Sequence, residues 1–110
     1  MKMDAIKMNS KSAKWAYEAA CSGIDLVMQG RGQTATLFKC SATVKTNGVD
    51  WVLISYSTPI ALYTPGDGIV WDCLRIKYEY TATSSQHLYK FVKWLEQKNF
   101  TVNAIKRFTR

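Results

Sequence analysis

The chain has 110 residues, 47% of them hydrophobic, with 15 basic residues against 8 acidic ones and a formal charge of +7, which fits one domain around one core and is too short for two. Four Trp, six Tyr and four Phe supply large surfaces to bury and argue against disorder. The longest apolar stretch is too short to cross a bilayer, and the lysine-bearing start MKMDAIKMNSKSAKW lacks the apolar core of a secretory signal.

In chain order, residues 1–9 read as a loose N-terminal arm ahead of a single domain over residues 10–110. Ser10 is placed to cap a helix from about Lys11 to Cys21 that ends at Ser22-Gly23. Ala13, Ala16, Tyr17 and Ala20 recur at helical spacing on its apolar face. Ile24 to Met28 is a short apolar run of uncertain type, and Gly30-Arg31-Gly32 breaks the chain. Thr36 to Thr46 and Val49 to Tyr56 then read as a hairpin around Asn47-Gly48, the pair favoured in a two-residue type I′ turn. That turn sets Lys45 opposite Asp50, Val44 opposite Trp51, Ala42 opposite Leu53 and Cys40 opposite Ser55. Phe38, Cys40, Ala42, Val44, Trp51 and Leu53 share the predicted core face, and Lys45 with Asp50 is a predicted cross-strand ion pair on the other.

Ile60 to Tyr63 and Ile69 to Asp72 form a second predicted hairpin around Pro65-Gly66-Asp67-Gly68. Leu74, Ile76, Tyr78 and Tyr80 alternate with Arg75, Lys77 and Glu79, which continues or restarts the strand with one buried and one wet face. Thr83-Ser84-Ser85-Gln86 reads as a capping box for a helix. Its apolar stripe is Leu88, Phe91, Val92 and Leu95, with Gln86, Lys90, Lys93 and Gln97 opposite. Asn99 ends the helix, Phe100 to Ile105 is a possible last strand, and Lys106 to Arg110 is a basic tail. The predicted class is α+β: an antiparallel meander sheet of about four or five strands, with an N-terminal and a C-terminal helix on one face.

Two stretches, Ser55-Tyr56-Ser57-Thr58-Pro59-Ile60-Ala61 and Tyr80-Thr81-Ala82-Thr83-Ser84-Ser85-Gln86-His87, resemble a family of small uncharacterised proteins of tailed phages and prophages. The resemblance spans about residues 35 to 98. It implies a phage-encoded accessory protein acting in a bacterial cytoplasm, and it assigns no activity to any residue. Read without the family, Pro59 marks a strand edge or bend. His87 is read as hydrogen-bonding to a neighbouring strand and pinning its helix to the sheet, rather than as an acid or base.

No catalytic constellation emerges. His87 is the only histidine. Ser84, Ser85 and the cysteines have no nucleophile elbow or cysteine-hydrolase signature around them. Asp67, Asp72 and Glu79 show no pairing as two working carboxylates. Cys21, Cys40 and Cys73 have no CxxC spacing, so they read as isolated thiols in a reducing compartment, and neither a metal nor a cofactor is expected. Gly30-Arg31-Gly32-Gln33 lacks the ending of a phosphate loop and reads as a bent connector.

Charge is the remaining signal. After residue 86 come His87, Lys90, Lys93, Lys98, Lys106, Arg107 and Arg110, against the single acid Glu96. The predicted binding surface is Lys90, Lys93, Trp94, Lys98, Lys106, Arg107 and Arg110. Two partners suit it. One is a host protein or ribonucleoprotein, with the chain as a non-enzymatic inhibitor of a CRISPR effector or another defence nuclease, an expectation led by the resemblance. The other is DNA or RNA, with cations on phosphates and aromatics on unpaired bases. No membrane partner is expected, and the chain is read as a monomer or, through an exposed edge strand, a homodimer.

Overall fold

The computed structural model describes residues 2–39, 41–77 and 82–110 of the chain. Ser10 accepts the Ala13 N–H and caps α1 (Lys11–Gln29). The helix continues through Ser22-Gly23, the expected terminator, and takes in Ile24 and Val27, both fully buried. Gly23 has a packing reason instead. A Cβ there would stand 2.6 Å from the Leu62 side chain, so glycine lets the helix lie close on the sheet.

Seven strands follow the sheet order β1-β7-β6-β5-β4-β3-β2. They are β1 (Lys2–Lys7), β2 (Thr34–Phe38), β3 (Ala42–Thr46), β4 (Trp51–Ser55), β5 (Thr58–Thr64), β6 (Ile69–Asp72) and β7 (Ala104–Thr109). From β2 to β6 neighbouring strands are antiparallel, while β6 with β7 and β7 with β1 are parallel. This overturns the expected four- or five-stranded antiparallel meander. Lys2–Lys7, read above as part of a loose arm, form an edge strand. Residues 106–110, read as a tail, lie in and just after a strand flanked on both sides.

The helices also differ from expectation, because α1 and α3 (Ala82–Gln97) cover opposite faces of the sheet. Val52, Ile54, Leu62 and Phe108 pack with Ala20, Ile24 and Val27 of α1. Val44, Leu53, Ala61, Tyr63, Val70 and Ile105 pack with Leu88, Phe91, Val92 and Leu95 of α3. A sheet covered on both faces carries apolar residues in unbroken runs, and Val52-Leu53-Ile54 is such a run. Ile60 is the extra residue of a bulge, since Leu53 pairs with Ala61 and Ile54 with Pro59. Leu74–Lys77, expected as strand, form the short helix α2. Tyr78, Glu79 and Tyr80 of that expectation lie outside the described residues.

The first predicted hairpin is real but displaced. Its first arm is broken into β2 and β3 around Lys39, which has a left-handed φ of 49°, and Ser41 donates from its backbone to Phe38 O. Thr46 pairs with Trp51, so four residues, 47–50, make the turn. Asn47 Oδ1 accepts the Val49 and Asp50 amides, and Thr46 Oγ accepts that of Gly48. Register slips by two residues against expectation, which keeps Val44, Trp51 and Leu53 on their expected core face. Lys45 is therefore opposite Val52, and its Nζ donates to Met28 O in the last turn of α1 at 2.8 Å. The expected Cys40–Ser55 pairing lies outside the described residues, and Ala42 takes the place opposite Ser55.

The second hairpin forms around Pro65–Gly68 as expected. Its turn also positions β7: Asn103 donates from its backbone to Gly68 O at 2.7 Å and from its side chain to Asp67 O. Helix α3 starts at Ala82, so Thr83 lies inside it rather than capping it. Its stripe is buried as expected, and Asn99, at a φ of 69°, ends it. Cys21 is half-buried and Cys73 buried.

Candidate binding surface

At about 100° per residue, Lys90 and Trp94 of α3 form one row with Lys98, the residue just past the end of the helix. That row faces β2, while Glu96 falls on the other flank. Lys90 Nζ stands 4.3 Å from the centre of the Phe38 ring, with Lys39 Nζ at 5.6 Å. Lys98 Nζ is 5.5 Å from the centre of Trp94, and Trp94 meets Trp51 edge-on at 5.0 Å. Trp51 in turn touches Phe100, and Phe100 touches Tyr63, which anchors Trp94 to the core.

Three shallow depressions follow one another between α3 and β2. The largest, about 400 Å³, is lined by Phe38, Gln86, Tyr89, Lys90 and Lys93. The next lies among Leu37, Lys90, Lys93, Trp94 and Gln97. The third reaches Thr34, Ala35, Trp51, Trp94 and Lys98. Among the described residues, no carboxylate lies within ion-pair distance of Lys90, Lys93 or Lys98.

The predicted surface is thus divided. Lys90, Lys93, Trp94 and Lys98 come together along β2, but Lys106, Arg107 and Arg110 do not join them. Five strand-to-strand steps separate β7 from β2, about 24 Å at the usual spacing. Lys106 lies over Trp71 on the α1 face, its Nζ 5.4 Å from the ring centre. Arg107 Nε donates to Asp72 Oδ2 at 2.8 Å, and Asp72 is only 1% exposed. Arg110 donates to Ile76 O. Sequence reasoning missed the β2 side of the groove. The sequence puts Phe38 on the core face, and nothing local marks Thr34–Phe38 as a separate edge strand.

His87 closes one end of this surface from beneath. Its Nδ1 shares a hydrogen bond with Ser55 Oγ at 2.7 Å, and its Nε2 is 3.3 Å from Ser41 Oγ. The residue is fully buried, flanked by the rings of Phe38 and Tyr56. Burial first, and then the charge of Lys90, lower its proton affinity below the usual histidine value. It therefore ties α3 to β4 as a neutral imidazole. Among the described residues, no group of His, Cys, Asp or Glu is arranged to hold a metal, and no helix is long and apolar enough to cross a membrane.

Comparison with curated proteins and with solved structures finds no match for this chain. A family model does match, over residues 24–107, from the second half of α1 to β7. The chain accordingly belongs to a family of unknown function, DUF8033.

Proposed function

We propose that the chain is a non-enzymatic binding protein that docks onto an acidic protein surface through the α3–β2 groove, and that it serves a phage by blocking a host defence nuclease. The observation that carries the docking reading is the pairing of lysines with two rings of the groove, Phe38 and Trp94. Lys90 and Lys39 sit against Phe38, and Lys98 sits against Trp94, whose other contact is Trp51. Unpaired bases stack on open ring faces, and here lysine ammonium groups already stand against the rings of Phe38 and Trp94. What the groove offers is a row of ammonium groups beside an exposed strand, which suits carboxylates on a protein. The histidine supports a non-catalytic role, being enclosed and bonded to two serines. The phage and defence part of the reading rests on the family resemblance.

The test pairs two measurements. Bacteria carrying a nuclease-based defence are challenged with phage in the presence of the chain or of a Lys90→Glu, Lys93→Glu, Lys98→Glu variant whose melting temperature is unchanged. Expected is relief of defence by the native chain and loss of that relief in the variant. In parallel, short single-stranded DNA and RNA are titrated at two salt concentrations, with no binding expected. Steep salt-dependent binding, about −0.7 in log–log slope per phosphate contacted, would instead make nucleic acid the ligand.

A further inference from the structure

The sheet has two edges, and they are built differently. β1 carries Lys2, Asp4 and Lys7 along its length, the kind of charged edge that resists further pairing. β2, Thr-Ala-Thr-Leu-Phe, carries no charge, and Thr34, Ala35 and Thr36 are exposed. Its polar backbone groups can be assigned from the ladder. The Thr46 N–H donates to Gln33 O at 3.0 Å, so Gln33 with Thr46 is a hydrogen-bonded pair. Two residues on, Ala35 with Val44 is the next such pair. Alternation in antiparallel ladders then turns the N–H and C=O of Thr34 and Thr36 away from β3, toward the open edge.

Thr34, Ala35, Leu37 and Phe38 of β2 border the groove that Lys90, Lys93 and Lys98 line, and Thr36 lies between them in the strand. A strand added at this edge would aim every second side chain to the α3 side, within reach of the ammonium groups. We propose that an extended acidic segment of the partner pairs with β2, its backbone bonded to Thr34 and Thr36 and its carboxylates facing the lysine row of α3. This rests on the docking reading above and specifies its chemistry: backbone pairing gives affinity, and the lysines select acidic side chains. A second copy of the chain is the poorer occupant, because pairing β2 with β2 would bring two lysine rows and two +7 molecules together.

The probe is a blocked peptide of about eight residues, a common strand length, alternating Glu with Val or Thr. Controls are the same composition interrupted by prolines, a Lys-for-Glu version, and oligo(dT). Binding is read by amide chemical shifts and hydrogen exchange at Thr34 and Thr36. Thr36→Pro deletes an outward N–H and leaves the β3 ladder intact; Thr34→Pro does the same two residues away, should the first variant fail to fold. Expected is binding of the Glu peptide with protection of both amides. Expected too is a loss of about tenfold or more in affinity for Thr36→Pro, for the proline peptide and for Lys93→Glu with Lys98→Glu.

If the proline peptide binds as well as the Glu peptide and no amide is protected, acidic docking survives and strand addition falls. Should the two amides become protected on raising protein concentration alone, with no peptide bound, the occupant is a second copy and the proposal is overturned. Binding of oligo(dT) without the peptide overturns both readings. Binding of no probe overturns strand addition, while the defence assay reports on the broader function separately.

Discussion

His87 is one residue whose chemistry sets a measurable pH dependence. Its folded proton affinity lies below the ordinary value of 6.5 because it is buried, with Lys90 as a second cause. The groups facing it from β4, the β2–β3 turn and the adjoining rings are Ser55, Ser41, Phe38 and Tyr56, none charged, so Lys90 is its one ionic neighbour among the described residues. Below the unfolded value the unfolded chain binds the proton more readily, so stability falls as pH drops from 6.5 through the lowered folded value. Well above 6.5 the imidazole is neutral in both states and adds no slope. Asp50 acts in the opposite sense, since burial and then Asp67 raise its affinity, but its window lies lower, from the carboxylate value of 3.8 upward. The expected outcome in urea titrations is a falling midpoint for the native chain between pH 7 and 5, and a flatter profile for His87→Gln starting from a lower midpoint. Equal slopes for the two would show that His87 is not the group responsible. Gly32 is a second single-residue case. A Cβ at that position would stand 1.6 Å from the Thr46 carbonyl oxygen, and a backbone atom cannot swing aside. Gly32→Ala is expected to cost about 4 kcal/mol or more, read as a collapsed melting transition or loss of soluble protein, whereas Gly66→Ala, with open space around it, is expected to melt like the native chain.

At the scale of elements, legibility followed period and locality. The α3 stripe was readable because four buried residues recur at i, i+3, i+4 and i+7, and the Pro65–Gly68 hairpin because its turn residues sit next to its strands. Helix α1 was cut short because Gly23 carries the signature of a terminator, while its cause, the approach of Leu62, lies 39 positions further along the sequence. β7 was hidden by its own cations, because Ala-Ile-Lys-Arg-Phe-Thr looks like a tail unless one knows what receives the charges. Lys106 is received by the ring of Trp71, which stacks on Phe108 at 5.8 Å, and Arg107 by the carboxylate of Asp72. Asp72 also accepts the Leu74 amide at 3.0 Å, so one buried carboxylate joins β6, β7 and α2. The two neighbours should therefore behave differently when truncated. Arg107→Ala is expected to destabilise by about 3–5 kcal/mol, the range for breaking a buried ion pair from one side. Lys106→Ala is expected to cost no more than about 1 kcal/mol. Neither is expected to alter binding in the α3–β2 groove, and a selective binding loss for Lys106→Ala at full stability would return β7 to the binding surface.

The whole molecule is organised by strands that come from opposite ends of the chain. β1 pairs with β7 from Lys2 opposite Ala104 to Lys7 opposite Thr109, a parallel pairing across nearly the entire sequence. No local motif announces such a pairing, since parallel neighbours are never joined by a tight turn, and this is why a hairpin-by-hairpin reading stopped short of the seven-stranded sheet. The pairing also converts the first residues from an appendage into a part of the core. Ile6 and Met8 are packed against the cluster beneath α1, Met8 donates its amide to Thr109 O at 2.9 Å, and the Thr109 hydroxyl donates to Ile6 O. Removing residues 1–8 would strip two half-buried apolar side chains and a six-residue ladder, which together are expected to cost about 2–4 kcal/mol. For a domain of this size that lowers the melting temperature by roughly 10 °C or more. It would also change the character of the sheet edge. β1 guards its side with Lys2, Asp4 and Lys7, whereas the exposed β7 would present a freshly unpaired backbone, so the truncated chain is expected to associate with itself at concentrations where the full chain stays monomeric. Thermal melting and sedimentation on the two forms decide the matter: an unchanged melting temperature together with an unchanged sedimentation profile would mean that β1 is dispensable, and the arm reading of residues 1–9 would be restored.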